Sequence, residues 1–232
     1  MGDLKQTMNL ELDEDGAQVF FQPNVAPAIL GLYAFSGSIL VVAPWLAGFY
    51  GTESSSYYIL PFVLILGGLA QFSAAMWTFI SRQWLTSVIT TMWSSEHAAW
   101  SFLITLYLFE VVRKPGGAIP GFGIWYLALA WITWVGAVVS LKQNLIVMLT
   151  LTTGAFGATI LGIDDMFGLN MFIFPGSILL IIAGILAWYA ASALLLQSTF
   201  RKQILPVWPS KLKSGQGGGK TGRGEPGVKQ SL

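Results

Sequence analysis

Six stretches of this chain run almost free of charge: 27–50, 57–80, 84–109, 122–141, 145–163 and 172–197. About 20 apolar residues, wound as a helix, cross the hydrocarbon core of a bilayer. Each stretch therefore predicts one transmembrane helix. Turn formers or charges separate them: Gly51-Thr-Glu-Ser, Ser81-Arg82, Arg113-Lys-Pro-Gly-Gly, Lys142-Gln-Asn and Asp164-Asp165. Membrane β-strands would be shorter and would alternate apolar with polar positions, which these stretches do not. The pattern predicts an all-α membrane protein: a six-helix transmembrane domain over 23–206, between an acidic tail at 1–22 and a Gly- and Lys-rich tail at 207–232. Both tails read as disordered, the second by composition. No cleaved leader and no myristoylation site are expected at the start.

Lys and Arg in short loops set orientation. With the N-terminus cytoplasmic, Arg82, Lys142, Arg201, Lys202, Lys211 and Lys213 lie inside, and only Arg113 and Lys114 lie outside. Both termini are then cytoplasmic, in a cell or plasma membrane. Trp45, Tyr50, Tyr57, Tyr58, Trp84, Trp125 and Tyr126 fall near span ends, where an interfacial aromatic belt would place them.

Composition narrows the chemistry. Hydrophobic residues make up 54% and charged residues 10% of 232 positions, against roughly 25% charged in a soluble domain. The net charge of +1 gives no field for nucleic acid. Zero cysteines and one histidine leave no metal-ligand set, and no phosphate-binding glycine loop occurs. No cofactor, no metal and no enzymatic activity are expected.

The third stretch holds the exception, "TTMWSSEHAAW" at 90–100, with Glu96 beside the only histidine, His97. A charge at mid-bilayer costs roughly 2.5–3.5 kcal/mol on insertion scales. Such groups face a protein interior or a wet cavity. Neighbours on a helix diverge by about 100°, so one of the pair shares a face with Trp93 and Trp100 while the other looks to a neighbouring helix or subunit. A packing role competes with a proton or anion relay here.

Two further stretches carry a resemblance. "PNVAPAILGLYAF" at 23–35 opens the first span, and "GGLAQFSAAMWTF" at 67–79 fills the second. With Trp93 and Ser95, Ser140-Leu141-Lys142, Ala187-Trp188-Tyr189 and Leu205-Pro206, they resemble the acetate uptake transporter family, which includes bacterial succinate–acetate permeases and fungal acetate transporters. The likeness covers about 20–206. It implies a six-helix protomer with its own pore, assembled as a hexamer in membrane lipid. It also implies a hydrophobic constriction of a Phe, a Tyr and a Leu. Carried over by motif, these fall on Phe35, Trp93 and Leu151.

The chain departs from the family pattern in places. The first motif lacks the usual Pro after Asn24, Ala75 replaces a Gly, and a G-S-F-W element reads Ser94-Ser95-Glu96-His97. The resemblance implies a transporter or channel for acetate and related small carboxylates, with proton coupling open. Asn24, Gln71 and Ser94 are candidate polar contacts, and Glu96 and His97 candidate proton-linked positions. The broken start of the first span could offer free backbone N–H groups to an anion. A pore for another small solute such as ammonia, and a non-transporting membrane sensor, are the alternatives.

Overall fold

The computed structural model describes residues 12–13, 16–17, 27–52, 54–81, 83–113, 116–142 and 144–208. Six long helices account for nearly all of them: α1 (Pro27–Leu46), α2 (Ser55–Ile80), α3 (Trp84–Leu108), α4 (Pro120–Ser140), α5 (Leu145–Phe167) and α6 (Ile173–Phe200). Leu12–Asp13 and Gly16–Ala17 form a two-residue antiparallel ladder within the stretch expected as the acidic tail. The rest of that tail and residues 209–232 lie outside the described residues.

Five of the helices are long and apolar enough to cross a membrane. The sixth, α3, has 25 residues, about 37 Å at 1.5 Å per residue. It misses on hydropathy because Ser, Thr, Glu96 and His97 interrupt it. Large apolar side chains cover the outside of the bundle, Trp131 being 73% exposed. A face of that kind suits lipid or another apolar surface and not water.

The helix ends follow local chemistry. Pro120 occupies the first turn of α4, where its missing N–H costs nothing. Asn144 caps α5, its side chain accepting from Val147 N at 2.9 Å. Gly168 ends α5 in the left-handed region, φ 65°, and a Cβ there would come 2.7 Å from Ala118 N. Asp164-Asp165, expected as a loop, lies inside the last turn of α5. The buried Asp164 carboxylate accepts from Phe172 N at 2.9 Å, which bridges the turn into α6 and holds the helix open one turn longer. The chain after α6 folds back: Trp208 O accepts from Leu145 N at 3.0 Å, and Tyr189 OH donates to Pro206 O at 2.8 Å.

α2 is not a uniform helix. Between Ser55–Phe62 and Gln71–Ile80 it widens to a π-helix over Val63–Ala70, where Gln71 N–H reaches back to Leu66 O. Pro61, just before this stretch, removes one ladder donor, and the glycine pair 67–68 follows within it. Such widenings are uncommon and recur at functional sites. Here it turns Gly67 toward α3.

The helices close into a ring in the order α1–α6–α5–α4–α3–α2. Five seams are broad, and the α4–α3 seam is thin. Two hydrogen bonds tie that seam, Trp93 Nε1 to Thr133 Oγ1 at 3.1 Å and Trp125 Nε1 to Glu96 Oε2 at 2.6 Å. The buried core that includes Phe35, Ile39, Trp93, Tyr126, Leu129 and Leu180 fills the ring.

Candidate functional site

A small cavity of about 50 Å³ opens inside the ring, walled by five of the six helices. α1 gives Gly31, Leu32 and Phe35; α2 gives Gln71; α3 gives Ile89, Thr90 and Trp93; α4 gives Thr133; α5 gives Thr150, Leu151 and Gly154. One water needs roughly 10–15 Å³ on this scale, so the space suits about three to five water-sized groups. A two-carbon acid is of that size. Gly31 helps to make the room, since a Cβ there would sit 3.0 Å from Thr90 Cγ2.

Phe35, Trp93 and Leu151 therefore border one cavity, although they come from three helices. Phe35 meets Trp93 edge-on with ring centroids 5.1 Å apart, a favoured aromatic geometry. Thr133 Oγ1 accepts the indole N–H and donates its own O–H to Leu129 O at 2.7 Å. This chain locks Trp93 across the thin seam.

Gln71 is 1% exposed and borders the same cavity. Its Nε2 donates to Thr90 O over a long 3.4 Å, and its Oε1 has no partner. The Thr133 and Thr150 hydroxyls donate to carbonyls of their own helices, so their protons are taken. No described residue bordering the cavity carries a charge.

His97 lies on the other side of the Phe35–Trp93 contact. It does not border the cavity. Its ring centroid is 6.2 Å from that of Phe35 and 6.3 Å from that of Trp93. Gly67 makes its slot, because a Cβ at 67 would come 2.5 Å from His97 Cγ and 2.6 Å from Ser38 Oγ. Neither ring nitrogen has a well-formed hydrogen-bond partner, and the Trp93 carbonyl one turn back is the backbone group nearest to supplying one. Ser101 Oγ, one further turn along the same face, is also buried without a partner.

Glu96 points the other way, as neighbours on a helix must. Its carboxylate accepts from Trp125 and lies beside the Tyr126 hydroxyl, with the Asp165 carboxylate in electrostatic reach. Of Trp125 and Tyr126, expected in an interfacial belt, Tyr126 is buried against the bundle, and the half-buried Trp125 gives its N–H to Glu96. Ser94 is buried, donates to Thr91 O at 2.9 Å and does not border the cavity. Asn24, with the expected broken start of the first span, falls outside the described residues.

The roles of Gly67, Thr133 and Trp125 were not expected: Gly67 was only part of the second-span motif, Trp125 was expected at the interface, and Thr133 was not named. The glycine pair within an apolar stretch was the available signal for the first. Nothing local marks the other two, which act across helix pairs.

Residues 12–209 match the model of the GPR1/FUN34/yaaH family. The chain belongs to the GPR1/FUN34/yaaH family. The fold of this member is similar to the solved structure of the bacterial acetate channel SatP, with a TM-score of 0.72 at 18% identity. The match covers 79% of this chain and 98% of that one. No curated protein matches the chain significantly. The shared fold is the six-helix membrane bundle, and the chain is an integral membrane protein.

Proposed function

We propose that this protein is a membrane channel or transporter for acetate and related small carboxylates, not an enzyme. The observation that carries the reading is the two-carbon-sized cavity at the Phe35–Trp93 neck, walled by apolar side chains and neutral polar groups. Membership of the family and the fold shared with an acetate channel support it. A narrow apolar neck strips water from a solute, and nearby amide and hydroxyl groups replace that water without holding the solute too tightly. Phe35, Trp93 and Leu151 form the constriction, and Gln71 is the polar contact.

Transport is proton-linked in this proposal. His97 lies past the neck with both ring nitrogens poorly partnered, so it is placed to exchange a proton with a solute that has passed Phe35. Glu96 is the secondary candidate, since its carboxylate is already engaged. The transmembrane unit spans 23–206 with both termini cytoplasmic, as the Lys and Arg distribution supports. The exposed apolar flank suits assembly with further copies, a hexamer by family likeness.

The absence of charge among the described residues around the cavity favours one second reading, a pore for a small neutral solute such as ammonia. Uptake of radiolabelled acetate into proteoliposomes, at acid and neutral pH and against empty vesicles, separates the two. Saturable uptake that Trp93→Ala alters, with a pH profile that His97→Ala changes, is the expected result. Uptake no greater than in empty vesicles, with the protein folded, overturns the carboxylate reading. A His97→Ala profile identical to the parent removes His97 from the proton step.

A further inference from the structure

The free end of the Gln71 amide is an acceptor. Thr90 O can only accept, so the Gln71 end that faces it is Nε2. Oε1 is therefore the end left buried without a partner, on a residue that borders the cavity. A buried acceptor of this kind is costly to leave unmet, and only a donor meets it. A carboxylate anion has no donor. Against Oε1 its oxygens would meet another acceptor, in a site that no described cation borders, inside a membrane where uncompensated charge is expensive.

From this geometry we infer that the pocket recognises the uncharged carboxylic acid, with Gln71 as the residue that selects the protonated form. The acid O–H donates to Gln71 Oε1. The acid carbonyl accepts the second N–H of Nε2, and the two bonds close a planar acid–amide pair. The proton stays on the solute while it is bound, so no group of the protein need ionise at this position. The apolar tail then lies against Phe35, Trp93 and Leu151. This inference rests on the carboxylate reading and names the form of solute that the same pocket takes.

Other titratable groups stand apart from the cavity. His97 lies behind the Phe35–Trp93 contact, and Glu96 faces Trp125 and Tyr126 on α4, with Asp165 of α5 near by. The described residues of α1, α2, α4 and α5 that border the cavity are Gly, Leu, Phe, Gln and Thr.

The test is saturation-transfer NMR on the purified full-length protein in detergent, with acetate and acetamide as probes at pH 5 and pH 7. Acetamide has acetate's size, carries N–H donors and does not ionise in this range. The expected result is that apparent affinity for total acetate falls about tenfold per pH unit above the acid's own pKa. Acetamide should compete equally at both pH values, which assigns the pH effect to the solute and not to His97 or Glu96. Gln71→Leu, checked for folding by gel filtration, should lose both signals. Acetate binding that is the same at both pH values, with no competition from acetamide, overturns the inference and leaves the carboxylate reading standing. Acetate binding at neither pH overturns both. A folded Gln71→Leu protein that keeps acetamide competition removes the amide from the contact and overturns the inference alone.

Discussion

Two polar regions meet α3 on different faces, about 100° apart at Glu96 and His97, and they differ in whether their hydrogen bonds are made. On the Glu96 side the carboxylate is answered by the Trp125 N–H, with Tyr126 beside it. On the Gln71 and His97 side, an amide oxygen, two ring nitrogens and the Ser101 hydroxyl are buried without partners. Burying polar groups costs free energy unless they are bonded, so the first region offsets its burial internally and the second does not. Satisfied groups hold helices together, here across the thinnest seam of the ring. Unsatisfied groups are where a solute or a proton would act. Adjacent residues, Glu96 and His97, divide along this line because a helix points them apart.

Substitutions can break or sharpen this contrast. Trp93→Ala should have the largest effect, since it empties a packed neck and releases Thr133. A buried Trp-to-Ala change costs about 3–5 kcal/mol in cores. Thermal unfolding in detergent should fall sharply, and size discrimination among carboxylates should relax. If flux still selects two-carbon acids, the neck lies elsewhere.

Gly67→Ala comes next. Its Cβ would press on the His97 ring and on Ser38, and overpacking of this kind costs about 1–3 kcal/mol. It should also disturb transport through His97. Unchanged stability and flux together would show that the slot is looser than 2.5 Å to His97 Cγ implies.

Glu96 tests the satisfied side. Glu96→Leu leaves the Trp125 N–H without an acceptor and should cost about 1–3 kcal/mol. Glu96→Gln keeps an acceptor oxygen in place and should cost far less, with acetate flux close to the parent. Loss of flux in Glu96→Gln, with stability kept, would move Glu96 onto the path and erase the contrast. Ser94→Ala should do least, about 0.5–1 kcal/mol, because its hydroxyl serves only its own helix at Thr91 O. A large flux defect there would mean that the hydroxyl turns toward the solute.

Much of the architecture could be read from the pattern of charges alone. Six stretches almost free of charge became six helices with ends shifted by a few residues, because the bilayer length that a helix must span is a local property of the chain. Phe35, Trp93 and Leu151 came together around one cavity, but the reason to choose them was family likeness and not periodicity. Three features were not legible. The π-helix at Val63–Ala70 depends on how α2 packs against α1 and α3. Trp125 as the partner of Glu96 is 29 positions away, and no spacing rule reaches across a helix pair. Asp164-Asp165 read as a loop because the two charges end an apolar run, yet Phe172 N compensates Asp164 through a contact made only in the fold.

The slot at Gly67 also constrains how this protein can have changed. A bulky ring at 97 is admissible only while 67 has no side chain, so the two positions behave as one character. A double replacement, Gly67→Ala with His97→Ala, should recover much of what Gly67→Ala alone loses, as coupled neighbours do. On this geometry, glycine at 67 is the background on which an imidazole at 97 is accommodated without overpacking.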